Sequence, residues 1–166
     1  MLTDKGKQDR RIKRRVVLEG LAAGCFTMLI LWLLYYLQGY APIGDNSLAV
    51  MDANYQYLDI FAYFKDVLAG DNSIAYSFGK MLGGTNVTNY AYYLSSPFSL
   101  LVIFFNKTNL VSFFDILISI KLVLAAMTAS LFLNVGFWKI RDNCLFHSAV
   151  VMLLAISYAL CQYSIA

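Results

Sequence analysis

The feature that most constrains this chain is an uncharged run from Leu21 to Leu37, within an apolar stretch that begins at Val16. About 20 consecutive apolar residues cross the hydrocarbon core of a bilayer as a helix. The run is longer than the apolar part of a cleaved signal peptide, and the following Gln38–Pro42 segment is a poor cleavage site. We therefore predict an uncleaved transmembrane helix over residues 16–37.

The rest of the chain is also too apolar for a small soluble protein. Its 166 residues are 60% hydrophobic and only 14% charged, an excess that so small a body cannot bury because it has too much surface for its volume. Two further apolar stretches, residues 110–135 and 144–166, predict transmembrane helices. The sequence thus predicts an all-α polytopic membrane protein with about three transmembrane helices, and its abrupt end indicates an N-terminal fragment of a larger protein.

The basic residues predict the orientation in the membrane. Seven of the thirteen Lys and Arg residues lie in the first fifteen positions, and such clusters mark the cytoplasmic flank of a span. We therefore predict a basic cytoplasmic tail over residues 1–15, an extracytoplasmic loop over 38–109 and a cytoplasmic turn over 136–143. Since the basic run abuts a span, we expect no nucleic-acid partner.

The loop contains two apolar patterns. Residues 51–69 read as an amphipathic helix that can lie on the membrane surface or dock on protein. Residues 97–105 are apolar but too short to span, and a crossing there would place Lys139 and Arg141 outside. We predict a re-entrant or interfacial segment. In the second span, we expect Asp115 and Lys121 to lie near enough to the interface to be solvated.

Acidic residues of the loop are the chemically capable ones. Asp45 or Asp52 is suited to act as a base, or as a ligand to a metal or a phosphate-bound substrate. The alternative is structural: Asp52 caps a helix, and Asp59 and Asp66 form its solvated face.

The segment Gly79–Tyr93 is rich in Gly, Asn, Thr and Tyr. Amides and aromatic faces suit sugars, although tyrosine is also common in loops at a membrane interface. Lys80 can pair with a lipid phosphate as a point charge. The sequence contains no Walker loop, dinucleotide fingerprint, zinc motif or serine-nucleophile motif.

These motifs, in order, resemble the bacterial YfhO family of membrane proteins from about residue 16 to the end. The resemblance is carried by the following segments: Gly44-Asp45-Asn46-Ser47, Asp52, Gln56-Tyr57, Phe61, Tyr76-Ser77-Phe78, Leu82-Gly83-Gly84, Ala91 to Phe98, Lys121, and Ser157 to Leu160.

The resemblance implies an activity. Family members are longer and look like GT-C glycosyltransferases, which take a sugar from a polyprenyl-phosphate carrier on the outer face of the membrane. Some are implicated in glycosylating teichoic acids or related envelope polymers. In that fold an essential aspartate follows the first helix, and part of the loop forms juxtamembrane helices. Asp45 fits this position best and Asp52 second. The candidate substrate-binding residues are Gln56, Tyr57, Lys80, Asn86 and Tyr92.

The mechanism expected from this resemblance is attack of an acceptor hydroxyl, activated by Asp45 or Asp52, on the anomeric carbon with inversion. The leaving polyprenyl phosphate would be stabilised by Lys80, by a divalent metal or by a part of the protein beyond this sequence. No cofactor is assigned, and we expect the isolated fragment to be inactive. The alternatives are a non-catalytic assembly or scaffold protein, and a transporter subunit. Spans with nearly charge-free centres count against transport.

Overall fold

The computed structural model describes residues 2–51, 53–77, 84–137 and 145–161. Helix makes up 76% of the structure. The strands of the described part form one short antiparallel hairpin, in which Tyr76 pairs with Thr85 and Ser77 with Gly84. The predicted all-α fold class is confirmed. The chain divides into two compact units, Met1–Leu37 with Ile118–Ala166, and Gln38–Leu117.

The helices and strands follow one another along the chain with short connections. The elements are α1 (Leu2–Gln38), a π-helical turn (Ala53–Tyr57), α2 (Leu58–Ala69), β1 (Tyr76–Ser77), β2 (Gly84–Thr85), α3 (Val87–Tyr93), two 3₁₀-helices (Pro97–Phe104 and Lys107–Asn109), α4 (Leu110–Phe132), a second π-helical turn (Leu133–Phe137) and α5 (Leu145–Ala159).

Two helical segments among the described residues are long and apolar enough to cross a membrane, Lys13–Gln38 and Lys107–Val135. They contain the predicted spans 16–37 and 110–135. A shorter apolar helix, His147–Ala159, lies within the predicted third span 144–166, whose first residue and last five lie outside the described residues. Large apolar side chains on α1, such as Trp32 at 61% exposure, are bare in the structure, as expected of a surface that faces lipid.

Small residues let α1 approach α4 closely in the first unit. A Cβ built on Gly24 would lie 2.6 Å from Cγ of Met127, and one on Gly20 would lie 3.3 Å from Cδ2 of Leu131. Ala23, between the two glycines, is fully buried. The spacing Gly20-x-x-x-Gly24 is the small-residue pattern by which membrane helices pack at short distance.

A polar cluster links α1 to α5 in the same unit. The Arg15 guanidinium donates through Nε to Oε1 of Glu19 at 3.0 Å. The Ser148 hydroxyl donates to the same carboxylate oxygen at 2.5 Å and accepts from Nη2 of Arg15 at 2.9 Å. Both charged groups are thereby hydrogen-bonded, which half-buried charges at a helix interface require.

The second unit is built on α2, whose apolar face points into protein. Phe61 is 1% exposed and Phe64 is 8% exposed. The Phe61 ring meets the Phe113 ring edge-on, with centroids 5.0 Å apart, and Phe105 packs on Phe113 at 5.1 Å. Of the two roles that the amphipathic pattern allows, docking on protein is the one this face performs.

Candidate functional site

Asp45 lies on a compact turn over residues 39–46. The Asn46 amide donates to the Gly39 carbonyl at 2.9 Å, and the Ala41 amide donates to the Asn46 carbonyl at 2.7 Å. Gly39 adopts a φ of 65°, and a Cβ on Gly44 would lie 2.4 Å from the Gly39 carbonyl oxygen. Glycine is therefore required just before Asp45, whose own side chain is exposed.

A buried carboxylate holds the segment that follows this turn. Asp115, on α4, is 0% exposed and accepts hydrogen bonds from the Ser47 hydroxyl at 3.0 Å and the Leu48 amide at 3.1 Å. The expectation that Asp115 is solvated is wrong, because these donors replace water around it. Lys121, by contrast, is exposed.

A cleft of about 1250 Å³ opens in the second unit, beside α2 and α3. Its walls come from three separated parts of the chain, and they carry tyrosine rings, side-chain amides and two carboxylates. The lining residues are Tyr55, Gln56, Asp59, Ile60, Tyr63, Gly70, Asp71, Asn72, Ser73, Tyr76, Ser77, Asn86, Tyr90 and Tyr93.

Hydrogen bonds and ring contacts fix part of this wall. The Tyr93 hydroxyl donates to Oε1 of Gln56 at 2.8 Å. Tyr57 and Tyr92 both meet the Tyr93 ring edge-on, with centroids 4.8 Å and 4.7 Å away. Across the cleft lining, the Tyr63 hydroxyl donates to the Ser73 carbonyl at 2.9 Å. The Gln56 amide is thus held in one orientation, with its nitrogen as the group left to donate.

Two buried polar groups of the lining lack a hydrogen-bond partner among the described residues, Nδ2 of Asn86 and the hydroxyl of Tyr90. Asn86 is only 6% exposed. Buried polar atoms in proteins are nearly always hydrogen-bonded, so two such groups side by side in sequence and lining one cleft require a partner from outside the described chain. A polar ligand or bound water meets that requirement.

Burial changes the acidity of two phenols here. Loss of water raises the pKa of Tyr90 to about 12, with a smaller contribution from Tyr63. Burial also raises the pKa of Tyr57, followed by the effects of Tyr93 and Tyr92. Both groups therefore stay neutral well into the alkaline range, where they can still donate a hydrogen bond.

The charge of the described lining is negative. Asp59 and Asp71 are both exposed, and the lining residues include no Lys or Arg. No group of three or more His, Cys, Asp and Glu that could hold a metal occurs among the described residues. The described part of the cleft is therefore suited to hydroxyl groups or cations rather than to anions.

The structure brings some of the predicted site residues together. Gln56 and Asn86 line the cleft, and Tyr57 and Tyr92 contact its wall through Tyr93. Asp45 is on the 39–46 turn and does not belong to the cleft lining. Two predicted site residues, Asp52 and Lys80, lie outside the described residues.

Sequence reasoning missed several lining residues whose spacing marks them. Asn86, Tyr90 and Tyr93 follow one another at four and three positions, which places them on one face at α3. Asp59 and Tyr63 are four positions apart on α2, on the polar face that the sequence pattern treats as merely solvated.

Comparison with known proteins identifies one relationship. The family model described as bacterial membrane protein YfhO matches residues 23–166, which include the 39–46 turn and the whole cleft. A search of curated proteins and a search of solved structures each found no match.

Proposed function

Because this chain belongs to the YfhO family of bacterial membrane proteins, we propose that it forms part of a membrane glycosyltransferase of the GT-C type. The enzyme transfers a sugar from a polyprenyl-phosphate carrier to an envelope polymer such as a teichoic acid. In this proposal the N-terminus is cytoplasmic and residues 38–109 face the outside of the cell. The observation that carries the proposal is the tyrosine- and amide-lined cleft in those residues.

The chemistry of the cleft matches that of a sugar ring. A pyranose presents C–H groups on its faces and hydroxyls around its edge, so it needs apolar ring surfaces together with hydrogen-bonding groups. Tyr55, 75% exposed, offers a free ring surface, while Gln56, Asn86 and Tyr90 offer polar groups. The cleft's volume of about 1250 Å³ exceeds the roughly 300–1,000 Å³ typical of small-molecule pockets, which leaves room for more than one ring.

The charge of the lining supports binding of the sugar rather than of the carrier's phosphate. Asp59 and Asp71 accept hydroxyl hydrogen bonds readily but repel an anion placed beside them. The phosphate therefore belongs elsewhere, and Lys80 remains its predicted partner.

In the proposed reaction, Asp45 or Asp52 takes the proton of an acceptor hydroxyl. The acceptor oxygen forms a bond with the anomeric carbon as the bond from that carbon to the phosphate oxygen breaks, and the polyprenyl phosphate leaves with the bonding electrons. The carbon inverts. The tightly closed 39–46 turn supports Asp45 in this role, since it fixes the backbone that carries the carboxylate.

The proposal is tested by complementation with the intact protein in its host, measuring transfer of labelled sugar from the lipid carrier to the envelope. Removing a general base lowers rates by about 10²–10⁴-fold, so Asp45→Asn or Asp52→Asn should reduce transfer by that order at normal membrane expression. In the cleft, Asn86→Ala should reduce transfer, whereas Asn106→Ala, an exposed asparagine that does not line the cleft, should not.

Unchanged transfer in both aspartate variants would contradict the assigned base. Unchanged transfer in the cleft variants as well would contradict the enzymatic proposal and favour a scaffold role for this family member.

A further inference from the structure

The 3₁₀-helix Pro97–Phe104 has one buried edge and one bare apolar edge. A 3₁₀-helix has three residues per turn, so residues three apart share an edge. Ser99 and Val102 are 1% and 0% exposed. On the other side, Leu100 is 54% exposed and Ile103 is 55% exposed, and Phe104 beside them is 81% exposed. The exposed apolar edge is therefore a regular feature of the helix.

The buried edge ties the 97–104 helix to the second unit. The Lys65 ammonium, on α2, donates to the Ile103 carbonyl at 3.3 Å. Immediately after the helix, the Phe105 ring packs on Phe113 of α4. Eight residues of 3₁₀-helix rise only about 16 Å, against a hydrocarbon core of about 30 Å. This helix is too short and too firmly attached to enter the membrane deeply and return.

The chain itself indicates what covers the bare edge. Three residues after Phe104, at Lys107, begins the apolar segment Lys107–Val135 that is able to cross a bilayer. Lys107 pairs with Asp66 at 2.5 Å, so charged groups stand where the chain enters the span, as they do at the level of lipid headgroups. The apolar face of α2 is already buried in protein, which leaves the 97–104 helix to meet the lipid.

We propose that the 97–104 helix lies in the plane of the membrane surface, with Leu100, Ile103 and Phe104 inserted at the boundary between headgroups and acyl chains. The partner of this edge is the bilayer itself. The proposal holds whether or not the protein transfers sugars, and it selects the interfacial reading of this segment over the re-entrant one.

The test places a nitroxide at each of the three positions in turn. In a background with Cys25, Cys144 and Cys161 replaced by serine, Leu100→Cys, Ile103→Cys and Phe104→Cys are labelled in vesicles of phosphatidylcholine and phosphatidylglycerol. Collision rates with oxygen, which concentrates in lipid, and with a nickel chelate, which stays in water, report depth. Exposed Asp71→Cys gives the aqueous reference and exposed Leu29→Cys the reference within a span.

The oxygen-to-nickel ratio at all three sites should exceed that of the Asp71 site severalfold and stay below that of the Leu29 site. A ratio equal to the Asp71 site would show a water-facing edge, and low collision with both reagents would show cover by protein. A ratio equal to the Leu29 site would show a re-entrant segment. Each of these three results would overturn the proposal. Val102→Cys, on the buried edge, should collide poorly with both reagents and reports that the helix has kept its orientation.

Discussion

Replacing Gly44 with alanine is expected to open the turn that carries Asp45. The new methyl carbon would lie 2.4 Å from the Gly39 carbonyl oxygen and 2.7 Å from its carbon. Close C···O contacts in proteins are about 3.3 Å, so the two strands of the turn must separate by about 0.9 Å. The atoms in the way are backbone atoms, which cannot rotate aside as a side chain would.

The cost follows from the hydrogen bonds that the separation breaks. Three close the turn: Ala41 N–H to Asn46 at 2.7 Å, Asn46 N–H to Gly39 at 2.9 Å and Gly44 N–H to Tyr40 at 3.0 Å. Each contributes about 0.5–1.5 kcal/mol net, so the closed turn should lose about 1.5–4.5 kcal/mol. Since about 1.4 kcal/mol corresponds to a factor of ten, local opening should increase roughly 10- to 10³-fold.

Hydrogen exchange of backbone amides measures this opening directly. With the protein in lipid nanodiscs, the Ala41 and Asn46 amides should exchange faster in Gly44→Ala by the factor above. Gly84→Ala is the matched control, because a Cβ at Gly84 meets nothing within 4 Å. Exchange at both amides within about threefold of the unmodified protein, less than a 1 kcal/mol effect, would refute the steric reasoning.

Three further predictions follow from the same contacts. Tyr90→Phe should remove a phenol that ionises near pH 12 in the 295 nm absorbance titration; because the unfolded chain ionises there near pH 10, the Tyr90 contribution to stability is full below pH 10 and is lost as the pH rises towards 12, and a lost phenol that titrates near 10 would contradict this. Gly24→Ala should destabilise the protein by about 1–3 kcal/mol in detergent unfolding, more than Gly20→Ala, and Met127→Ala should relieve it. Asp115→Leu should speed exchange of the Leu48 amide, whereas Asp115→Asn, which keeps an acceptor oxygen, should change it much less; equal effects would deny the hydrogen bond its role.

The helices could be predicted because each depends on a pattern within its own segment. An uncharged apolar run long enough to cross a bilayer is visible in residues 21–37 without knowledge of any neighbour. The family, too, follows from short motifs in order, and its match over residues 23–166 is confirmed. Neither conclusion requires a contact between distant residues.

The destination of the amphipathic face of α2 could not be predicted, because it depends on a partner far along the chain. Phe61 meets Phe113, more than fifty positions later, and periodicity does not distinguish such a ring from a lipid tail. The cleft is similar, since Gln56, Asn72 and Asn86 come together only through folding. The glycine spacing at Gly20 and Gly24, in contrast, is a readable signal that hydropathy alone passes over.

The carboxylate of Asp115 connects the biogenesis of the protein to its folding. Its hydrogen-bond donors, Ser47 and Leu48, precede it by 68 and 67 positions. Insertion of an acidic residue into a bilayer as part of a lone helix costs about 2.5–3.5 kcal/mol at the centre of the helix and less towards its ends. That cost is offset only once the preceding loop has closed on the helix. Stable integration of α4 and closure of the loop are therefore one coupled event, and a mutation in the loop can be felt as a failure of membrane insertion.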